Sequence, residues 1–130
     1  MNKRATTSIA LAVAAVTTLG ACKSLPPPPL YARNDANEPI VFRVEFTETD
    51  QTWDDMALTG DDLAFTLEEC EWARAEVSTT DGRLRAEIHQ TICPNWKLWV
   101  DEDLVLHYFK NTPRQQPHLT VSLAGPDAHA

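Results

Sequence analysis

Three features of this 130-residue sequence predict a mainly β fold: a small antiparallel sandwich or barrel of five to seven strands with one disulfide. Ile40, Phe42, Val44 and Phe46 alternate with Val41, Arg43, Glu45 and Thr47, a period of two that sorts large apolar side chains onto one face. Asp81-Gly82 is a strong hairpin-turn signal, because a tight two-residue turn needs positive φ at both central positions. Cys70 and Cys93 lie equidistant from that turn, so one hairpin register sets them face to face.

The chain begins with a removable segment. Lys3 and Arg4 supply a positive start, Ile9 to Leu19 an apolar run, and small residues follow, which together read as a secretory signal over residues 1–21. It is too short and too rich in hydroxyl residues for a spanning helix. The ending Leu19-Gly20-Ala21-Cys22 resembles the bacterial lipobox. That resemblance, confined to residues 1–22, implies cleavage before Cys22 and fatty acylation of its thiol and new amino group. Several acyl chains on one residue hold a protein at a membrane essentially permanently. In the lipoprotein class an aspartate after the acylated cysteine favours inner-membrane retention; Lys23 stands there instead, which implies an outer-membrane location. Residues 22–38 contain Pro26 to Pro29 and a polar Asn34-Asp35-Ala36-Asn37 stretch, and are expected to form a lipidated, partly stiff polyproline tether.

The expected domain spans residues 39–124. Pro39 suits the start of the strand over 40–46, since proline cannot donate within a ladder. The acidic stretch from Glu48 to Asp62 reads as loop, with a short helical turn near Trp53 to Leu58. From Leu63 to Ile92 two readings compete. In the β-hairpin, Ala73, Ala75 and Val77 share a face with Leu84, Ala86, Ile88 and Ile92, while Arg74, Glu76, Arg85, Glu87 and His89 face the other way. A two-residue turn pairs Cys70 with Cys93 but also Glu76 with Glu87, a like-charge pair. A four-residue turn in the alternative register pairs Glu76 with Arg85. The rival is a helical hairpin over 62–92, an α+β fold, suggested by Leu63, Leu67, Cys70, Arg74 and Val77 and the helix formers at 68–76. Two-face sorting and the turn favour strands. Further strands are expected at Trp96 to Val100, Leu104 to Phe109 and His118 to Leu123, with a frayed tail at 125–130.

Acylation of Cys22 leaves Cys70 and Cys93 to pair in an oxidising compartment, which stabilises a small domain by about 3 kcal/mol. Lys3 and Arg4 leave with the signal, so the mature chain has nine basic and nineteen acidic residues, a formal charge of −10. Such a balance excludes the concentrated positive face of a nucleic-acid binder. His89, His107, His118 and His129 lack ligand spacing, and Asp50, Asp54, Asp55, Asp61 and Asp62 lack the alternation of a calcium loop, so no metal or other cofactor is expected. Ser24, Ser78 and Ser122 sit in no nucleophile elbow; no catalytic residue and no small-molecule substrate is indicated.

The contact candidates are tryptophans. Trp72 joins the charged face of the hairpin, as an exposed recognition residue or under a second layer. Trp96 and Trp99, three apart on one strand, cannot both face inward. The expectation is a non-enzymatic outer-membrane lipoprotein, probing the periplasm with a domain that binds another envelope protein. The alternative is an inhibitor of a basic cell-wall hydrolase such as lysozyme; small disulfide-bonded β lipoproteins of that type exist, and the acidic balance would steer a cationic enzyme.

Overall fold

The computed structural model describes residues 28–112 and 119–125. The signal, Cys22, His118, His129 and the tail at 126–130 lie outside the described residues. Nine strands form two layers: β1 Leu30–Asn34, β2 Ile40–Phe46, β3 Gln51–Ala57, β4 Asp62–Phe65, β5 Glu71–Thr79, β6 Arg85–Ile92, β7 Trp96–Val100, β8 Val105–Lys110 and β9 Leu119–Ser122. One sheet runs β4-β1-β7-β8-β9 and the other β3-β2-β5-β6. The mainly β, sandwich-like architecture with a Cys70–Cys93 disulfide is as the sequence predicts; the layers do not close into a barrel. Among the described residues there is no helix, so the helical hairpin over 62–92 is excluded.

The period-two patterning is realised directly. Ile40, Phe42, Val44 and Phe46 of β2 point into the core beside Ala73, Ala75 and Val77 of β5. From the opposite sheet come Leu30 and Ala32 of β1, Leu98 and Val100 of β7, and Leu106 and Tyr108 of β8. The inner faces are dry because each strand alternates in phase with its neighbours.

The β5–β6 pairing has the register that aligns the cysteines: Glu71 opposes Ile92, Ala75 opposes Ile88, and Glu76 opposes Glu87. The turn is longer than expected. Thr79 N donates to Leu84 O at 2.9 Å, so the loop is Thr80 to Arg83, and of the Asp81-Gly82 pair only Gly82 has positive φ, at 73°. Asp81 Oδ1 accepts from Thr79 Oγ1 at 2.7 Å and from Arg83 N at 3.0 Å, a side-chain cap that supports a turn with negative φ at Asp81. Loop length and register are therefore uncoupled here, because Thr80 and Arg83 lengthen the loop equally on both sides.

Three expectations are corrected. Among the described residues the strands number nine rather than five to seven. Residues 51–57 form edge strand β3 rather than a loop with a helical turn. Asp50, at φ 57°, closes the bend after β2, and Trp53 then reaches the inner face opposite Val44 and stacks on Phe65 with centroids 5.0 Å apart. The domain also begins before residue 39. Leu30, Ala32 and Asn34 are fully buried, and β1 lies between β4 and β7, pairing parallel with β7. Residues 30–38 belong to the fold, not to the tether.

Asn34 explains why a polar-looking segment does so. Its amide donates to Glu38 O and to Ala57 O, both at 2.9 Å, and its Oδ1 accepts from Ala36 N at 2.8 Å. One buried side chain thus satisfies three backbone groups and joins β1 to the end of β3. Replacing Asn34 with alanine leaves those groups buried and unpaired, and is expected to cost about 3 kcal/mol, read as a lowered urea midpoint at unchanged m-value.

Candidate binding site

The outward face of the β3-β2-β5-β6 sheet carries Arg43 and Glu45 from β2, Trp72, Arg74 and Glu76 from β5, and Arg85, Glu87 and His89 from β6. Strand alternation puts them there, since their neighbours in sequence fill the core. The like-charge Glu76–Glu87 pair is tolerated because Arg74 lies beside both. Arg74 Nε and Nη2 fork onto Glu87 at 2.8 and 2.9 Å, Nη2 also reaches Glu76 Oε2 at 3.1 Å, and Nη1 reaches Glu45 Oε1 at 3.4 Å. Arg43 Nε donates to Glu45 at 2.9 Å, and His89 Nε2 meets Glu87 Oε1 at 2.6 Å. The forked Arg74 bond, reinforced by His89, holds the Glu87 carboxyl well below its ordinary 4.5, at about 2.

Trp72 stands at one end of this lattice and is 47% exposed, with no second layer over it. The charges on its β5–β6 side are already paired with one another, so they border the exposed indole on one side as a preorganised row. Trp96 lies on the inward side of β7, as a partly buried residue at the end of the core, and packs on Tyr108 with centroids 4.8 Å apart. A cleft of about 350 Å³ brings Trp72 and Trp96 together with Gln90, Thr91 and Tyr108. The Tyr108 hydroxyl accepts from Cys93 N at 3.0 Å and donates to Thr91 O at 3.4 Å, tying the floor of the cleft to the disulfide. Burial pushes the Tyr108 phenol up to about 12, so it stays neutral.

Trp99 belongs elsewhere. It faces outward from β7, on the opposite side of the molecule's other sheet, which satisfies the expectation that Trp96 and Trp99 diverge. Its ring stacks on His107 at 4.6 Å and its Nε1 donates to Asp35 Oδ2 at 2.7 Å. Arg33 Nε bonds both oxygens of Asp35 at 3.0 Å, and Asp101 Oδ2 meets His107 Nε2 at 2.8 Å. The Asp35 carboxyl is lowered chiefly by Arg33, with Trp99 adding to it. Burial works to raise the Asp101 carboxyl, but His107 and the N–H groups of Val105 and Asp103 outweigh it and leave it lowered. Asp35, Trp99, Asp101, Glu102 and Asp103 line an open cleft of about 460 Å³. Sequence reasoning named Trp99 but missed this grouping, because Asp35 was assigned to the tether and reaches Trp99 only through the β1–β7 pairing.

Among the described residues no group of three histidine, cysteine or acidic side chains is arranged to hold a metal. Asp54 and Asp55 lie on opposite faces of β3, since successive strand residues alternate. No known family model matches the chain, and no curated protein matches it either.

The Glu87, Asp35 and Asp101 shifts carry one sign. Each carboxyl is depressed in the folded state, so its contribution to stability is complete above the ordinary carboxylate range and is lost as pH falls through its lowered folded value, about 2 for Glu87. The urea midpoint should therefore fall steadily as pH drops below about 4.5. Arg74→Met should flatten that fall by removing the Glu87 share.

Proposed function

We propose that the mature chain is a non-enzymatic lipoprotein, acylated at Cys22 and held at the outer membrane, whose sandwich binds another envelope protein. The observation that carries the binding role is Trp72, an exposed aromatic anchor at the end of a row of ion pairs that are already satisfied internally. Interface hot spots have this form: a large indole able to bury fully against a partner, beside charges that exclude water and set orientation. The lipobox-like ending supports the anchor, and residues 22–29, with their prolines, supply the spacer between the lipid and Leu30.

A photo-crosslinking residue placed next to Trp72 in cells should capture one envelope protein reproducibly. Trp72→Ala should reduce that yield more than tenfold, as loss of a hot spot of about 2 kcal/mol requires, while leaving the melting temperature nearly unchanged because the side chain is half exposed. Mass spectrometry of the mature protein should find an N-terminal Cys22 carrying the mass of its acyl chains, and Cys22→Ser should leave an unlipidated precursor that still begins with the signal. A Trp72→Ala variant that crosslinks like wild type removes the binding face, and a mature Cys22 found without lipid removes the anchor.

The acidic cleft beside Trp99 favours a second reading, inhibition of a basic cell-wall hydrolase. Glu102 and Asp103, beside Asp35 and Asp101 that Arg33 and His107 already hold, make this cleft acidic enough to suit an arginine or lysine of a cationic enzyme. Slowing of lysozyme at low salt that fades with ionic strength supports this reading, and no inhibition at low salt ends it.

A further inference from the structure

The disulfide lies just beyond the last pair of the β5–β6 ladder, and its two halves have unlike surroundings. Cys70 is exposed, whereas Cys93 is half-buried. Glu68, Glu69 and Glu71 flank Cys70 and line one cleft of about 380 Å³, while the chain neighbours of Cys93, Ile92 and Pro94, carry no charge. Cys93 is also the better held of the two. Its N–H donates to the Tyr108 hydroxyl at 3.0 Å, which donates in turn to Thr91 O at 3.4 Å across the seam between the sheets.

Cys70 ends a segment with little else to hold it. Among the described residues, 66–70 make no backbone–backbone hydrogen bond, and Leu67 is their buried anchor. On the strand side, Thr47 N donates to Trp72 O at 3.3 Å, so the backbone groups of Trp72 face β2 and those of Glu71 face Ile92. The Glu71–Ile92 pair is therefore the rung that the disulfide clamps, and Trp72 stands next to it.

Thiol–disulfide exchange needs a thiolate in line with the S–S bond, and its rate depends on which sulfur is reached and which one leaves. Exposure favours attack on Cys70. Charge favours the same choice, because a thiolate released at Cys70 would stand among the carboxylates of Glu68, Glu69 and Glu71, while one released at Cys93 would not. Those carboxylates also repel an incoming anion, which disfavours thiols that carry a further negative charge.

We propose that Cys70–Cys93 is a thiol–disulfide exchange site, attacked at Cys70 by uncharged or cationic thiols, and that its opening releases 66–70 and the Glu71–Ile92 rung beside Trp72. The attacking thiolate bonds to Cys70 Sγ, the S–S bond breaks, and Cys93 leaves as a thiolate that takes up a proton. With a dithiol as reductant, the second thiolate then displaces Cys70, so the protein gains two electrons and two protons and the reductant becomes a disulfide. This site needs no protein partner, so its failure would leave the binding role untouched.

The mature protein is treated with cysteamine or glutathione, quenched with an alkylating reagent and digested for mass spectrometry. The adduct is expected on Cys70 and the alkyl group on Cys93, in about tenfold excess over the reverse. Adduct chiefly on Cys93, or equally on both, overturns the site. Per thiolate, glutathione should react about fivefold faster at about 1 M than at about 10 mM salt as its repulsion is screened, whereas cysteamine, whose ammonium offsets its thiolate, should change less than about twofold. Glu68→Gln combined with Glu69→Gln, at exposed positions, should flatten the glutathione response. An equal salt response for both thiols overturns the charge selection. Amide exchange before and after reduction with dithiothreitol tests the release: it should quicken at 66–70 and Ile92 and stay slow at Val44 in the middle of β2. Unchanged exchange at Ile92, or equal quickening at Val44, overturns it.

Discussion

The register between β5 and β6 governs both the core and the candidate surface. With Ala75 opposite Ile88 and Val77 opposite Ala86, six inward side chains meet the opposing sheet, and the same choice turns Trp72, Arg74, Glu76, Glu87 and His89 outward. A slip of one residue would turn one of the two strands over, burying its polar set and exposing its apolar one. The disulfide fixes that register covalently just beyond the end of the pair, with Cys70 and Cys93 separated by 23 residues. Arg74 makes it electrostatically acceptable by standing between two glutamates that the register forces together. It also decides which backbone groups of β6 face the seam.

The two aromatic sites follow from opposite uses of strand alternation. On β7, Trp96, Leu98 and Val100 turn inward, and Trp96, at the strand's end, extends past the core into a cleft shared with Trp72 of the other sheet. Trp99, one step out of phase, is held against His107 and Asp35 on the outer surface. Two tryptophans three residues apart thus serve different surfaces: a largely uncharged cleft beside the disulfide and an acidic cleft on the far sheet.

How much of this was legible in the sequence depended on whether a signal was local. The β2 alternation, the two-faced hairpin and the cysteine pairing were readable because side chains adjacent in sequence sort themselves by face. β3 was not, since Gln51–Ala57 is an edge strand that buries little beyond Ala57 and so does not alternate. β1 was concealed by its company: four prolines precede it, and Asn34 reads as polar loop until Glu38, Ala36 and Ala57 are brought around it. The acidic cleft could not have been assembled in advance, because Asp35 and Trp99 are joined by a non-local parallel pairing. The Trp72–Trp96 cleft likewise depends on the meeting of two sheets, although both residues stood out singly.

That parallel pairing has a bearing on how the molecule is made. Tyr31 lies opposite Ala64 of β4 on one side and beside Lys97 of β7 on the other, so one edge of β1 can be paired well before the other. The β2–β3 and β5–β6 hairpins close short loops and can assemble early, whereas the β1–β7 pairing must wait through a long closure. During that interval the β7 side of β1 lies open, so the sheet of five strands exists first as separate pieces that a single parallel seam must later unite.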